Sequence, residues 1–157
     1  MPGTVATFHG TLDSKTLGGA GFASQRTVEE DHRWDLSSYD GLEVVVIIPL
    51  PLNAEVAEPK EEPKPAQIKD RIYTLIVKDC IIPGEPDSGR EITWQWDFKP
   101  RTKIPKEGRS RSLTAPFLQR FIAHWEDFKP FNRGRPVDEG KKLNTKAIRR
   151  FSIMIRR

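Results

Sequence analysis

Residues Leu17–Arg26 read Leu-Gly-Gly-Ala-Gly-Phe-Ala-Ser-Gln-Arg, and the glycines at 18, 19 and 21 invite comparison with a phosphate-cradling loop. A dinucleotide fingerprint needs a strand before the loop, a helix after it and a third glycine where Ser24 stands. No Lys-Ser or Lys-Thr pair follows, so it is not a P-loop either. The stretch is read as a turn feeding a strand, its small residues allowing close backbone packing. His9, His32 and His124 share no metal-like spacing, and no zinc or other metal site is expected from them. Cys80 lies between Asp79 and Ile81-Ile82-Pro83, with no helix start beside it to lower a thiol pKa. No serine occupies a Gly-x-Ser-x-Gly elbow. Among 22 acidic residues, including Asp13, Asp35, Asp40, Asp79, Asp97 and Asp127, nothing selects two as an acid–base pair. No catalytic residue is assigned.

Basic residues offer binding rather than chemistry. Lys99–Arg111 carries six cations against Glu107, and a second run comprises Lys141, Lys142, Lys146, Arg149, Arg150, Arg156 and Arg157. With Trp94, Trp96 and Trp125 nearby, a stacking face for nucleic acid is one reading. It competes with a core role, because Trp94 and Trp96 alternate with Ile92 and Phe98 on one side of a strand. The core role is preferred, and no nucleic-acid partner is expected. Around Phe128-Lys129-Pro130-Phe131, aromatic rings flank a proline-extended segment, with Phe121, Trp125 and Phe128 able to bury one side. Arg133-Gly134-Arg135 then follows: either an anion or carboxylate clamp, or an exposed loop pinned by those rings.

The elements that must hold these residues are short and β-like. Thirteen prolines and eleven glycines interrupt any long helical period. Between them, Thr4–His9, Gly21–Thr27, Leu42–Ile48, Ile72–Val77, Glu91–Phe98 and Phe151–Ile155 are rich in β-branched and aromatic residues. Leu42–Ile48, a continuous apolar run between Asp40-Gly41 and Pro49, is expected to be a buried strand. Short strands spaced by turn signals predict an all-β antiparallel sandwich or barrel. Residues 49–67, with five prolines among Glu and Lys, are expected to be a disordered insertion. Residues 99–112 are expected to form a basic loop. No internal repeat or second domain is found, and residues 1–157 are read as one domain.

A length of 157 residues suits one modest core. Twenty-six Lys+Arg against 22 Asp+Glu leave a net charge of +4, which demands neither nucleic acid nor an anionic membrane. One cysteine excludes an intrachain disulfide. Val44–Ile48 is far shorter than the roughly 20 residues of a membrane helix. The N-terminus shows neither a secretory pattern nor an Arg-rich presequence, since its first arginine is Arg26.

Four blocks, taken in order, resemble the complex I intermediate-associated protein 30 (CIA30) family of mitochondrial NADH:ubiquinone oxidoreductase assembly factors. They are Leu17–Arg26; Trp34-Asp35-Leu36-Ser37-Ser38-Tyr39-Asp40-Gly41-Leu42; Trp125–Pro130 with Arg133-Gly134-Arg135; and Leu143–Ile155. The resemblance implies a galactose-binding-like β-sandwich of jelly-roll type. It also implies a non-catalytic, chaperone-like role, binding protein subunits or assembly factors of respiratory complex I, without a cofactor. Its compartment would be the mitochondrion; the missing presequence leaves the cytoplasm as the alternative. The family pattern has a further strand at each end, so the chain is expected to be a truncated form with exposed sheet edges. The expected contact surface is the loop end holding Arg133 and Arg135, with Arg26 and Lys129 as lesser contributors. The rival readings are a carbohydrate- or small-ligand-binding sandwich, with Trp34 or Trp125 as a platform, and an enzyme on the same fold.

Overall fold

Tyr73, Leu75 and Val77 alternate with Ile72, Thr74 and Ile76. A chain with that period of two lies down as a strand whose successive side chains point to opposite faces. In the computed structural model, which describes residues 6–8, 21–28, 32–48, 71–82, 91–100, 117–138 and 140–156, eight such strands form. They are β1 (Phe22–Arg26), β2 (Gly41–Ile48), β3 (Ile72–Lys78), β4 (Thr93–Phe98), β5 (Phe117–His124), β6 (Lys129–Asn132), β7 (Arg135–Pro136) and β8 (Arg150–Arg156). Two single-turn 3-10 helices, Trp125–Asp127 and Thr145–Ala147, join them.

The strands make two antiparallel sheets, one of six strands in the order β1-β8-β3-β4-β6-β7 and one of two, β2-β5. The all-β sandwich expected from the sequence is therefore present. Where the large sheet faces the small one it presents Val77, Trp94 and Phe98, all buried, beside Tyr73 and Trp96. Phe98 meets Phe121 of β5 with ring centroids 5.1 Å apart, closing the gap between the sheets. Ala123, Phe128 and Ile148 complete the core, with Leu36, Leu42 and Trp125 packed against it. Each large side chain so buried contributes about 1.5–3 kcal/mol. The core placement of Trp94 and Trp96 agrees with the reading from strand alternation.

Two expectations need correction. β2 is a strand, yet only one of its faces is covered: Glu43, Val45 and Ile47 are exposed while Leu42, Val44 and Val46 turn toward the core. The physical reason is the two-stranded sheet itself, whose outer side has none of the described residues packed over it. Residues 6–8, the described part of the expected Thr4–His9 strand, lie in no strand, although the Phe8 ring packs edge-on against Tyr73 at 6.5 Å. The expected insertion at 49–67 and most of the basic loop at 99–112 fall outside the described residues. No helix among the described residues is long and apolar enough to cross a membrane.

Candidate functional site

The Arg133-Gly134 pair is the two-residue turn of a tight hairpin. Asn132 pairs with Arg135 across it, and both turn residues have positive φ, 48° and 74°. That is the type I′ geometry, whose twist matches that of antiparallel strands. Glycine adopts it freely, whereas arginine does so at some cost. Arg133 and Arg135 are both exposed, on a hairpin at the sheet edge opposite β1.

Register places the other two predicted contact residues elsewhere. Arg26 pairs with Ser152, Ser152 with Ile76, Ile76 with Gln95, and Gln95 with Lys129. These five residues form one transverse row, so Arg26 and Lys129 share the outer face of the large sheet. Four strand spacings separate them, about 19 Å. Arg135 pairs with Asn132, three residues beyond Lys129, and so belongs to the opposite face. Arg133 and Arg135 are thus brought together, while Arg26 and Lys129 join neither that pair nor each other.

Along the same outer face, polar side chains are paired internally. Lys78 Nζ lies 2.5 Å from Glu91 Oε2, and Glu91 Oε1 accepts the Ile82 N–H at 2.7 Å. The Thr74 hydroxyl, fully buried, donates to Asp97 at 2.6 Å, and Arg156 ion-pairs with the other oxygen of Asp97. Among the described residues, no group of three or more potential ligands could hold a metal ion.

Hydrogen bonds at both ends fix the irregular segment Trp34–Gly41. Trp34 exchanges two backbone hydrogen bonds with Ile148, of 2.9 and 3.0 Å. Leu36 N–H donates to Thr145 O at 2.8 Å. Asp35 Oδ1 accepts from the Ser37 hydroxyl at 2.6 Å and from its N–H at 3.0 Å, an Asx turn. These two donors hold the Asp35 carboxyl below its ordinary value, hydroxyl first, with a smaller pull from Lys146 and Arg33. At the far end the Trp125 indole N–H donates to Tyr39 O at 2.6 Å, and Trp125 N–H to Asp40 O at 3.1 Å. Gly41 then enters β2 where no side chain fits: a Cβ there would sit 2.1 Å from Ala123 O and 2.8 Å from His124 Cα. Beside it, Leu36, Tyr39, Gly41, Leu42 and Glu43 line a shallow depression of about 200 Å³.

Neither tryptophan named as a sugar platform lies open. Trp34 is half-buried, stacked on His32 at 5.4 Å and tilted against Phe151 at 5.3 Å. Trp125 is half-buried against Phe128.

Three of the sequence blocks that carry the resemblance meet at the Trp34–Gly41 turn. Trp34–Gly41 is bonded to Trp125 on one side and to Thr145 and Ile148 on the other. The first block contributes β1, whose Phe22–Arg26 pairs with Arg156–Ser152 of β8. Residues 1–47 match the family model described as Complex I intermediate-associated protein 30 (CIA30). That stretch includes β1, the Asx turn and nearly all of β2. The chain is also 36% identical over 152 residues to "Uncharacterized protein C9E9.15" of Schizosaccharomyces pombe. The similarity covers 96% of this chain and 55% of the yeast protein, so the chain spans about half the length of the relative it matches. No solved structure matches it.

One surface had no counterpart in the sequence reading. The outer side of β2-β5 exposes Val45, Ile47, Leu118 and Ile122 together. The available signal was Glu43 at the head of an apolar strand, a charge that a strand buried on both faces would not carry unpaired.

Proposed function

We propose that the chain is the β-sandwich part of a CIA30-family protein, a non-catalytic binding factor that holds protein subunits during assembly of mitochondrial respiratory complex I. The observation carrying this reading is the CIA30 match over residues 1–47. Contacts among three of the blocks support it, because Thr145 and Ile148 at one end and Trp125 at the other fix the Trp34–Gly41 turn. In this reading the signature residues maintain the scaffold, and contact with subunits falls to exposed side chains. Arg133 and Arg135 on the hairpin are one such pair, with Arg26 and Lys129 as separate, lesser contacts.

Native-gel separation of mitochondrial complexes tests the proposal. The full-length protein, tagged at its own locus, is expected to migrate with partly assembled complex I and not with the finished enzyme. Its deletion is expected to deplete finished complex I while partial assemblies accumulate. Normal complex I in the deletion, with no co-migrating intermediate, would overturn the assembly role.

A further inference from the structure

Six large apolar side chains among the described residues are exposed, and four stand on one surface: Val45 at 44%, Ile47 at 41%, Leu118 at 53% and Ile122 at 63%. Cross-strand pairing brings them together, Ile47 opposite Leu118 and Val45 opposite Arg120, with Glu43 opposite Ile122. Arg120 reaches diagonally to Glu43 at 2.8 Å, so the polar side chains here neutralise one another and leave an apolar strip. At the end where β2 begins and β5 stops, Glu43 also lines the depression beside Tyr39 and Leu42. Asp40, Glu126 and Asp127, all exposed, flank that end. One end of an apolar strip is therefore acidic.

We infer that the outer face of β2-β5 is a docking site for one amphipathic helix of a partner protein, its basic N-terminal end lying over Asp40, Glu126 and Asp127. Size argues for a single element. Two paired eight-residue strands make a surface about 27 Å long and 10 Å wide. That is about 270 Å², well short of the roughly 800 Å² per partner that a stable dimer of standard size buries. One helix of about 18 residues matches the length, and its diameter of about 10 Å matches the width. Charge sets its direction. A helix N-terminus carries partial positive charge, and Lys or Arg in its first turns would meet the acidic end. The apolar stripe recurring at i, i+3, i+4 and i+7 would lie on Ile122, Leu118, Val45 and Ile47. This inference rests on the reading of the chain as a protein-binding module, and not on the identity of the complex it serves.

The probe is a fluorescent 18-residue helical peptide with a Leu/Ile stripe and Lys-Arg in its first turn, titrated with the full chain and followed by anisotropy. Two control peptides carry Glu in place of the basic residues, or the same composition scrambled. Saturable binding is expected, at least tenfold weaker for either control. Ile122→Asp and Leu118→Asp are each expected to weaken it at least tenfold, and Ile122→Ser less. These side chains are exposed, so the variants should keep the parent's melting temperature, and the milder serine variant keeps the test informative if an aspartate variant does not. Lys142→Ala, an exposed position outside both sheets, should leave binding unchanged. Equal binding of the scrambled peptide, or indifference to Ile122 and Leu118 substitution, would overturn the inference. So would a dimer in solution that Ile122→Asp dissolves, since a second copy would then occupy the face. Peptide binding together with normal complex I in the deletion strain would retain this surface and remove the assembly role. Loss of complex I without peptide binding would do the reverse.

Discussion

Glu91 holds Lys78 at 2.5 Å with one carboxylate oxygen and the Ile82 N–H at 2.7 Å with the other, on a side chain only 1% exposed. A buried carboxylate with both oxygens occupied ties β3 to the chain entering β4. Breaking such a pair from one side costs far more than the pair contributes, because desolvation of the remaining group is no longer offset. Glu91→Ala should therefore lower stability by about 3–5 kcal/mol in urea unfolding. Glu91→Gln keeps an acceptor for Ile82 and should cost less. A loss below about 1 kcal/mol for the alanine variant would place this pair with ordinary surface ion pairs.

Gly41 offers a sharper steric test. Its missing Cβ is what lets β2 lie against β5, since an added carbon would sit 2.1 Å from the Ala123 carbonyl oxygen. The obstacles are backbone atoms, so no rotamer change relieves them. Gly41→Ala should cost at least the roughly 1–3 kcal/mol of an overpacked site. It should also expose Trp125 by loosening the Tyr39 carbonyl that accepts its indole N–H. Thermal melting and the tryptophan emission maximum check both effects. An unchanged melt would mean that β2 and β5 can separate at this end without loss.

The parts of this fold legible in the sequence are those whose determinants are local. β3, β4 and β8 follow from period-two alternation, and the Trp94 face of β4 is legible because its neighbours Ile92 and Phe98 share its parity. β5 is less legible. Phe-Leu-Gln-Arg-Phe-Ile-Ala-His sets apolar residues in adjacent pairs, so no strand face stands out. β2 reads as a strand, yet its exposure depends on how many strands lie beside and above it, which a single apolar run does not encode. The same limit applies to the predicted contact residues. Whether Arg26 and Arg135 meet is decided by strand order and pleat, and β1 and β7 stand at opposite edges of the sheet. Sequence proximity of Arg133 and Arg135, by contrast, survives in the structure because Arg133 opens the two-residue turn that leads directly into Arg135 of β7.

Asp35 supplies the acid-range prediction. Hydrogen bonds from the Ser37 hydroxyl and N–H favour its charged form, so its folded pKa lies below the ordinary 3.8. A depressed carboxylate contributes stability that is fully present above the unfolded value. That contribution is lost as pH falls through the unfolded and then the folded value. Between about pH 5 and pH 2 the parent should thus lose stability more steeply than Asp35→Asn. Because the carboxyl is fully exposed, the difference between the two curves should be small and should shrink further with salt. Parallel melting curves for parent and variant across that range would show that the Asx turn does not depend on the charge.

The Arg133-Gly134 turn separates scaffold from contact surface. Both residues have positive φ, which Asn-Gly satisfies better than Arg-Gly in a type I′ hairpin. Arg133→Asn should therefore hold or raise the melting temperature, because asparagine enters the left-handed region more readily than arginine. Gly134→Ala should destabilise by about 1 kcal/mol although nothing lies within 4 Å of the added carbon, since the cost is conformational and not steric. If Arg133 contacts subunits, Arg133→Asn should reduce co-migration with complex I intermediates while the fold is untouched. Gly134→Ala should act on both only through the hairpin. A destabilised Arg133→Asn protein would show instead that the arginine is retained for what its side chain does within the fold.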